Sequence, residues 1–369
     1  MKIRIYGYDL AEAVGKVAKA VATKNTNPVL EGIKIATDGE YAVFTATDLD
    51  IGIETRVKCE VFEQGETVVV GKAFVEYASK LTALDYVEIT ADGKQLKALC
   101  GKVKFALATM DETKFPKINK DLDGNSFTIA VADLKKAVVA TAFCCATDEA
   151  RPILKGCLFE IVGETLNVCA LDGFRLALHS CGVCDKTNGG FKVVIPARSL
   201  TELLRLVGNE EKVELVVQGG MLAIKTDNTI FTARLLAGDF VNYNALLGQP
   251  TATEVCVGAD ELATALDRLS ILAKVDKNNV VRCVVDNGVM QLTANSDLGN
   301  GEETIDVDYA DKKVDLHFNF RYICDCLKAI PDEKIRLCFG KDERSPFFIF
   351  PHQDGDWKYL ILPVRVNKA

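Results

Sequence analysis

The sequence predicts an α+β protein built from three repeated domains, each with two helices packed on a mostly antiparallel sheet. Its 369 residues suggest two or three domains at roughly 100–200 residues per domain. The same order of helix and strand signals occurs three times along the chain. Helix and strand segments do not alternate strictly, which favours antiparallel sheets over parallel βαβ units.

Each repeat opens with a short strand, an acidic residue before a leucine, and an amphipathic helix. These openings are Ile3–Val21, Phe127–Cys145 and Glu254–Ala273. In the first helix, Leu10, Val14, Val17 and Val21 fall on one face, which predicts a buried stripe that reaches Val21.

An acidic turn follows each opening at nearly constant spacing. The three turns are Thr47-Asp48-Leu49, Leu171-Asp172-Gly173 and Ser296-Asp297-Leu298. Because the aspartate recurs once per repeat, we interpret it as a structural residue whose carboxylate caps backbone groups of the turn. A shared catalytic carboxylate set is the less favoured alternative.

The repeats predict three domains with the boundaries 1–120, 125–247 and 253–369. Residues 119–126 and 247–253 contain glycine, aspartate and proline and are interpreted as linkers. Runs of β-branched and apolar residues at 67–70, 212–217 and 334–339 predict strands. We expect about eight short strands in each domain.

Composition narrows the class of protein. The net charge of −8 argues against a nucleic-acid binder that relies on bulk positive charge, although a local basic surface remains compatible with it. No apolar stretch approaches the ~18 residues of a membrane span. The first residues, Met1-Lys2-Ile3-Arg4, carry charge and lack the apolar core of a secretion signal, so a cytoplasmic protein is expected.

The chain contains 13 cysteines, which we interpret as small buried apolar residues in a reducing compartment. Cys181-Gly182-Val183-Cys184 leaves two alternatives open, a metal site and a redox-active pair. A structural zinc site generally needs two such pairs, and the sequence has no second one. No metal and no cofactor are therefore predicted.

The predicted helices are basic although the chain is acidic. They carry twelve basic and five acidic residues, against 44 basic and 52 acidic residues in the whole chain. The basic residues are Lys16, Lys19, Lys72, Lys80, Lys135, Lys136, Arg198, Arg205, Arg268, Lys274, Arg321 and Lys328, and Lys24 in a loop adds to them. The acidic ones are Glu12, Glu76, Glu202, Asp267 and Asp325. If the helices share one face, that face suits a loosely held phosphate backbone.

Six short segments occur along the chain in a fixed order. They are Thr47-Asp48-Leu49, Arg151-Pro152-Ile153-Leu154-Lys155-Gly156, Asp172-Gly173-Phe174-Arg175-Leu176-Ala177, Ile195-Pro196, Gly238-Asp239-Phe240-Val241-Asn242-Tyr243 and Leu362-Pro363-Val364-Arg365-Val366. With the threefold repeat, they make the chain resemble the bacterial DNA polymerase III beta subunit family, the sliding clamps, along essentially its whole length.

The resemblance implies a ring of two chains whose helices line a hole around duplex DNA and whose sheets lie outside. Such a protein is a non-catalytic processivity factor that tethers the replicative polymerase. The implied partners are double-stranded DNA held without sequence preference, the DNA polymerase III alpha subunit, the clamp loader, other proteins that carry a clamp-binding motif, and a second copy of the chain. The thirteen basic residues above would face the DNA.

The resemblance also implies a pocket between the second and third domains that takes hydrophobic side chains of a short partner motif. The matching positions are Arg151, Leu154, Leu171, Gly173, Phe174, Arg175, Leu176, Val241, Leu246, Pro346, Phe348, Leu360, Leu362, Pro363, Val364 and Arg365. This chain departs from the usual pattern at Leu171, Phe174, Val241 and Ala245, where Thr, His, Pro and Arg are usual. We therefore expect a more apolar pocket.

The implied ring contact joins the first domain of one chain to the third domain of the other. Phe105 and Leu107 match its apolar side on the first domain, and Ile271 and Leu272 match it on the third. Lys72 with Glu302 or Glu303 would form a charged pair at its rim.

Three competing functions remain. A scaffold of the same fold that does not enclose DNA would not need basic helices, and a thiol or metal protein would use Cys181 and Cys184. An enzyme has no residue set to support it, because the three histidines show no metal-ligand spacing and the GxSxG, Walker A and GxGxxG patterns are absent.

Overall fold

The computed structural model describes residues 1–81, 86–120, 123–186, 190–208, 210–275, 279–310 and 312–366. The first third of the chain contains helices α1 (Gly7–Val17) and α2 (Gly71–Ala78) and strands β1 (Lys2–Tyr6), β2 (Gly32–Asp38), β3 (Tyr41–Thr47), β4 (Ile51–Lys58), β5 (Glu60–Glu63), β6 (Glu66–Val70), β7 (Tyr86–Ala91), β8 (Gln95–Cys100) and β9 (Val103–Met110).

The middle third contains helices α3 (Val131–Thr141), α4 (Ala197–Leu206) and α5 (Tyr243–Leu247) and strands β10 (Asn125–Ala130), β11 (Gly156–Val162), β12 (Thr165–Leu171), β13 (Arg175–Gly182), β14 (Asp185–Lys186), β15 (Phe191–Pro196), β16 (Lys212–Gln218), β17 (Met221–Lys225) and β18 (Thr229–Arg234). The last third contains helices α6 (Ala259–Ala273) and α7 (Phe320–Ala329) and strands β19 (Thr253–Gly258), β20 (Val280–Asp286), β21 (Val289–Ser296), β22 (Gly299–Asp306), β23 (Asp308–Ala310), β24 (Val314–Asn319), β25 (Lys334–Phe339), β26 (Phe347–Pro351) and β27 (Trp357–Ile361).

The chain folds into two compact units with separate sheets. The first unit comprises 1–131, 184–189 and 198–235 and holds a 14-stranded sheet in the order β14-β10-β16-β17-β18-β4-β3-β2-β6-β9-β8-β7-β1-β5. The second comprises 132–183, 190–197 and 236–369 and holds a 9-stranded sheet, β15-β11-β12-β13-β27-β26-β25-β19-β23, and a 4-stranded sheet, β22-β21-β20-β24.

Neighbouring thirds of the chain are joined by direct strand pairing. β18 of the middle third pairs with β4 of the first, and β13 of the middle third pairs with β27 of the last. The strand pairs of the described residues are antiparallel, as the sequence predicts. Each third has two helices of at least eight residues, as expected, but nine described strands rather than eight. Short edge strands such as β5, β14 and β23 lack the apolar alternation that would predict them.

The predicted stripe of α1 is buried, but the helix is shorter than expected. Leu10, Val14 and Val17 are fully buried. The helix ends at Val17 and one 3₁₀ turn, Ala18–Ala20, follows, so Val21 is extended rather than helical. Val21 packs against Gly71, where an added Cβ would lie 2.9 Å from the Val21 Cγ1.

The helices of the described residues are short. None of them combines the length and the apolar character that crossing a membrane requires.

Candidate functional site

An apolar cluster lies in the second unit, where β11, β12, β13, β26 and β27 are neighbours. We call it the apolar cluster; its buried members are Ala146, Leu154, Leu158, Cys169, Leu171, Leu176, Leu178, Val194, Tyr243, Cys338, Phe348 and Leu360. Partly buried residues packed against it are Ile153, Leu236, Phe240, Leu246, Leu247 and Phe350. The structure thus brings together six of the predicted pocket positions, at Leu154, Leu171, Leu176, Leu246, Phe348 and Leu360.

Sequence reasoning missed several members of the apolar cluster. Leu158, Cys169 and Leu178 belong to it, and each lies in a run of consecutive buried residues in β11, β12 or β13, so the apolar runs of these strands were a signal that could have found them. Tyr243 is a second kind of omission, because its ring is buried while its hydroxyl donates to Glu160 Oε2 at 2.7 Å. That bond fixes α5 beside β11.

The turn between β12 and β13 shapes one side of the apolar cluster. The Asp172 Oδ1 accepts hydrogen bonds from the backbone amides of Phe174 at 2.9 Å and Arg175 at 3.0 Å. Gly173 has φ +93°, a conformation that other residues rarely adopt. The turn therefore leaves the Phe174 side chain 60% exposed next to buried Leu171, where a partner could reach it.

Arg175 is largely buried and its guanidinium group contacts other residues of this chain. Only 11% of its side chain is exposed, and its guanidinium donates to Asp172 Oδ2 at 3.0 Å, to Asp325 Oδ2 at 2.7 Å and to the Phe143 carbonyl at 2.9 Å. The same group lies 4.6 Å from the centre of the Tyr322 ring. Arg175 thus ties the β12–β13 turn to α7.

The remaining predicted pocket positions are more exposed. Leu362 donates its amide to the Phe174 carbonyl at 2.8 Å and Val364 donates to the His317 carbonyl at 2.7 Å, which holds the last described segment in place. Val364 and Arg365 line a cavity of about 340 Å³ with His317. Of the other four positions, two are exposed: Arg151, which precedes a 3₁₀ turn, and Val241, at 39%. Pro346 and Pro363 are half-buried.

Two of the three recurring aspartates, Asp48 and Asp172, cap the backbone of their turns. Asp48 caps its turn as Asp172 does, because its Oδ1 accepts from the amides of Asp50 at 3.1 Å and Ile51 at 2.8 Å. These bonds confirm the structural interpretation of both residues. In the third turn the Ser296 hydroxyl oxygen takes this role and accepts from the amide of Leu298 at 3.3 Å.

The basic residues of the helices divide into paired and unpaired groups. Five of them contact carboxylates: Lys16 with Glu12, Lys136 with Asp133, Arg198 with Asp48, Arg205 with Glu202 and Arg268 with Glu303. Six others are exposed and have no carboxylate within 4 Å among the residues the structure describes: Lys19, Lys24, Lys72, Lys80, Arg321 and Lys328. Lys274 lies 5.9 Å from the Phe320 ring centre, and Lys135 is half-buried on α3.

Two strand edges carry the residues predicted for the ring contact. β9 pairs with β8 on one side, and on its other side it pairs with β6 only at Thr109 and Met110, which leaves that edge of Val103–Ala108 without a described strand beside it. Among the described residues, β22 pairs with β21 alone. On β9, Phe105 stacks on Tyr77 at 4.0 Å between ring centres.

Of the two apolar side chains near β22, one is exposed and the other is packed. Ile271 on α6 is 72% exposed, while Leu272 packs over Gly301, where a Cβ would lie 3.0 Å from its Cδ1. Glu303 accepts hydrogen bonds from Nε and Nη2 of Arg268, each at 2.6 Å, so within this chain it already has a partner.

The Cys181 and Cys184 pair has little of the character of a reactive thiol site. Cys181 is half-buried in β13 and Cys184 is exposed. Burial raises the pKa of Cys181 to about 11, so this thiol stays protonated at neutral pH. Over the described part of the chain, no group of three His, Cys, Asp or Glu side chains is arranged to hold a metal ion.

Family models match the chain in three consecutive segments. Residues 1–119 match the N-terminal domain, 128–242 the central domain and 245–365 the C-terminal domain of the DNA polymerase III beta subunit. Among curated proteins, the beta sliding clamp of Bacillus subtilis is 32% identical over 99% of this chain and 100% of its own length. The beta sliding clamp of Staphylococcus aureus is 28% identical over 94% of each chain.

Solved structures agree with these matches. The crystal structure of a DNA polymerase sliding clamp from Bacillus subtilis has a TM-score of 0.94 at 31% identity and covers 99% of both chains. A sliding clamp from Pseudomonas aeruginosa, solved bound to griselimycin, has a TM-score of 0.92 at 27% identity and covers 99% of this chain and 100% of its own.

Proposed function

Since this chain belongs to the DNA polymerase III beta subunit family, the sliding clamps, we propose that two copies close into a ring around duplex DNA. As a family member it is a non-catalytic processivity clamp. The ring, its partners and its cytoplasmic location are our proposal. The observation that carries the DNA-binding part is the basic character of the helices in a chain with a net charge of −8.

The unpaired cations suit a ring that must slide. A closed ring stays on DNA by topology, so its phosphate contacts need only position the duplex. Six exposed basic side chains without a carboxylate nearby, among the described residues, supply such contacts. The acidic pairing of Arg205 and Arg268 keeps the total attraction low, and low attraction reduces drag along the duplex.

Ring closure would use the two unpaired strand edges. β9 of one copy and β22 of the other can extend one sheet across the contact, with Phe105 and Leu107 packed against Ile271 and Leu272. Because Glu303 already forms an ion pair with Arg268, whereas Glu302 accepts from the neutral amide of Gln291 at 2.8 Å, Glu302 is the better rim partner for Lys72. An exposed pair of this kind contributes at most about 1 kcal/mol, so apolar packing should dominate.

Partner proteins would dock at the apolar cluster. Phe174, Val241 and Leu362 are exposed and lie within three residues in sequence of the cluster members Leu171, Tyr243 and Leu360. This arrangement suits a short segment that inserts hydrophobic side chains. We assign this site to the DNA polymerase III alpha subunit, the clamp loader and other proteins with a clamp-binding motif.

Retention on DNA tests the ring. The chain is loaded by a matched clamp loader and ATP onto a nicked circle, and onto the same DNA made linear. We expect retention on the circle and rapid loss from the linear ends. The control is Ile271→Ala with Leu272→Ala, which should be monomeric by light scattering and lost from both DNAs. Equal loss of the unmodified chain from both DNAs would favour a scaffold that does not enclose DNA.

A further inference from the structure

A cavity of about 600 Å³ lies in the second unit, away from the apolar cluster. Its walls come from α3, from the end of α7 and from the start of β27. Its size falls in the range of small-molecule sites, which is roughly 300–1,000 Å³. The family resemblance implies only that lysines of this region face DNA as parts of a helix surface, and it does not imply a cavity between them.

The cavity combines three kinds of lining. Lys135, Lys136 and Lys328 bring positive charge, and Asp332 and Asp356 bring carboxylates. The rest of the wall is largely apolar, formed by Val139, Ala140, Ile330 and Pro331. A simple anion would meet the lysines but would be opposed by the carboxylates. A ligand with an anionic end, an apolar plane and N–H or O–H donors would satisfy all three.

His179 adds a buried polar group without a partner. It lies on β13 opposite Trp357 of β27 and is 7% exposed. Its Nδ1 is buried and has no hydrogen-bond partner among the described residues. Such a group costs about 1–3 kcal/mol when left unsatisfied, so a rearrangement that gave this atom a hydrogen-bond donor would be favourable. Burial also lowers the pKa of His179, which keeps the imidazole neutral at neutral pH.

Two hydrogen bonds join segments that line the cavity. Trp357 donates its indole N–H to Asp332 Oδ2 at 2.9 Å, which anchors the segment after α7 to β27. Ser180 donates its amide to the Asp356 carbonyl at 2.7 Å, which anchors the segment before β27 to β13. Lys136 lies 4.0 Å from Asp133, and its side chain is 73% exposed, so its ammonium group remains accessible.

We propose that this cavity binds a nucleoside phosphate, with the phosphate on the lysines and the base between the apolar walls. The carboxylates of Asp332 and Asp356 would accept hydrogen bonds from the N–H and O–H groups of the base and sugar. Two sources share this chemistry: a free nucleotide and an unpaired nucleotide of single-stranded DNA. The inference deepens the proposed function and rests on it for the choice of nucleic acid. It does not require the ring.

Trp357 is the only tryptophan of the chain, so its fluorescence reports on this cavity directly. The full chain is titrated with thymidine monophosphate, a short oligothymidylate, the matched duplex and inorganic phosphate. We expect a saturable change with the mononucleotide, the single strand, or both. The mononucleotide alone points to a free nucleotide, and the single strand alone points to DNA. An equal response to duplex or to inorganic phosphate, or no response to any probe, would overturn the proposal.

Matched variants locate the binding. Lys136→Ala with Lys328→Ala should weaken nucleotide binding about tenfold or more, because charged hydrogen bonds to phosphate are lost. Val139→Phe should weaken it too, since it fills the cavity at an exposed position without changing charge. Lys334→Ala with Lys358→Ala removes the same charge outside the cavity and should leave binding unchanged.

Equal effects of the two lysine pairs would mean that surface charge alone is responsible, and would overturn the assignment. The proposed function is judged separately. If nucleotide binding fails while the chain is still retained on a nicked circle, only the cavity assignment falls. If retention fails while the fluorescence change persists, the ring is wrong and the cavity stands.

Discussion

Two equivalent three-stranded regions of this chain carry opposite chemistry on the same backbone. In β2, β3 and β4, the side chains of Lys34, Thr45 and Glu54 stand in cross-strand register. Thr45 donates its hydroxyl to Glu54 Oε2 at 3.2 Å, and Lys34 lies 2.7 Å from a Glu66 carboxylate oxygen. This surface is polar and its charges are neutralised within the chain.

In β11, β12 and β13, the same cross-strand positions are Leu158, Cys169 and Leu178. All three belong to the apolar cluster. The difference teaches that the same three-stranded backbone carries a polar surface in one place and part of the apolar cluster in the other, according to the side chains at three positions. The turns that follow, at Asp48 and Asp172, sharpen the comparison because their backbones match and their surroundings do not.

The largest expected difference concerns the arginines that hold the two turn aspartates. Arg175→Ala removes the guanidinium that Asp172 and Asp325 share, and should lower the free energy of unfolding by about 3–5 kcal/mol. Arg198 lies 2.7 Å from Asp48 but is 56% exposed, so Arg198→Ala should cost about 1 kcal/mol or less. Urea unfolding of both variants measures the difference.

Arg175→Lys serves as the control, because it keeps the charge and loses the planar fork that reaches two carboxylates at once. It should fall between Arg175→Ala and the unmodified chain. Similar destabilisation by the alanine variants of both arginines would show that burial does not distinguish the two turns.

The next difference concerns the three-stranded regions themselves. Leu158 is 1% exposed, and Leu158→Ala should destabilise the chain by about 2–5 kcal/mol, because a cavity is left in the apolar cluster. Lys34→Ala, at the equivalent position, removes a surface ion pair and should cost about 1 kcal/mol or less. Urea unfolding midpoints, compared between variants with the same m value, measure this difference in the free energy of unfolding. A Lys34 variant as damaged as the Leu158 variant would contradict the comparison.

A smaller effect is expected on partner binding. Phe174→Ala should weaken binding of a clamp-motif peptide about tenfold, because an exposed ring next to the apolar cluster is lost. Leu49 is 53% exposed after the equivalent aspartate, and Leu49→Ala should leave the affinity unchanged. Calorimetric titration with a peptide from the matched polymerase alpha subunit gives both values. Equal losses would place the peptide elsewhere.

Much of this architecture could be predicted from the residues, and the reasons for the failures are physical. The repeat of helix and strand signals predicts two helices per third, and the acidic turns predict their own capping at Asp48 and Asp172. The end of α1 at Val17 could not be predicted, since the apolar spacing continues to Val21 and the contact of Val21 with the distant Gly71 is not visible in the sequence. The domain boundaries 1–120, 125–247 and 253–369 remain predictions, because the compact units of the chain divide its middle third.

Side-chain partners were the least predictable part of the site. Arg175 carries a sequence signal for the pocket, yet its contacts with Asp325 and the Phe143 carbonyl need the folded chain to be seen. The unpartnered Nδ1 of His179 has no sequence signal at all. Local patterns predict elements, whereas sites depend on contacts between residues far apart in sequence.

The smallest expected effects have opposite signs at the two turns. Both residues after the capping aspartate have positive φ, +93° at Gly173 and +78° at Leu49. A Cβ added at Gly173 would meet nothing within 4 Å, so Gly173→Ala should cost only the backbone strain of about 1 kcal/mol. Leu49→Gly relieves the same strain at an exposed position and should stabilise the chain by up to about 1 kcal/mol. Thermal unfolding compares the two, and shifts of the same sign would mean that the turns are not held by the same backbone conformation in solution.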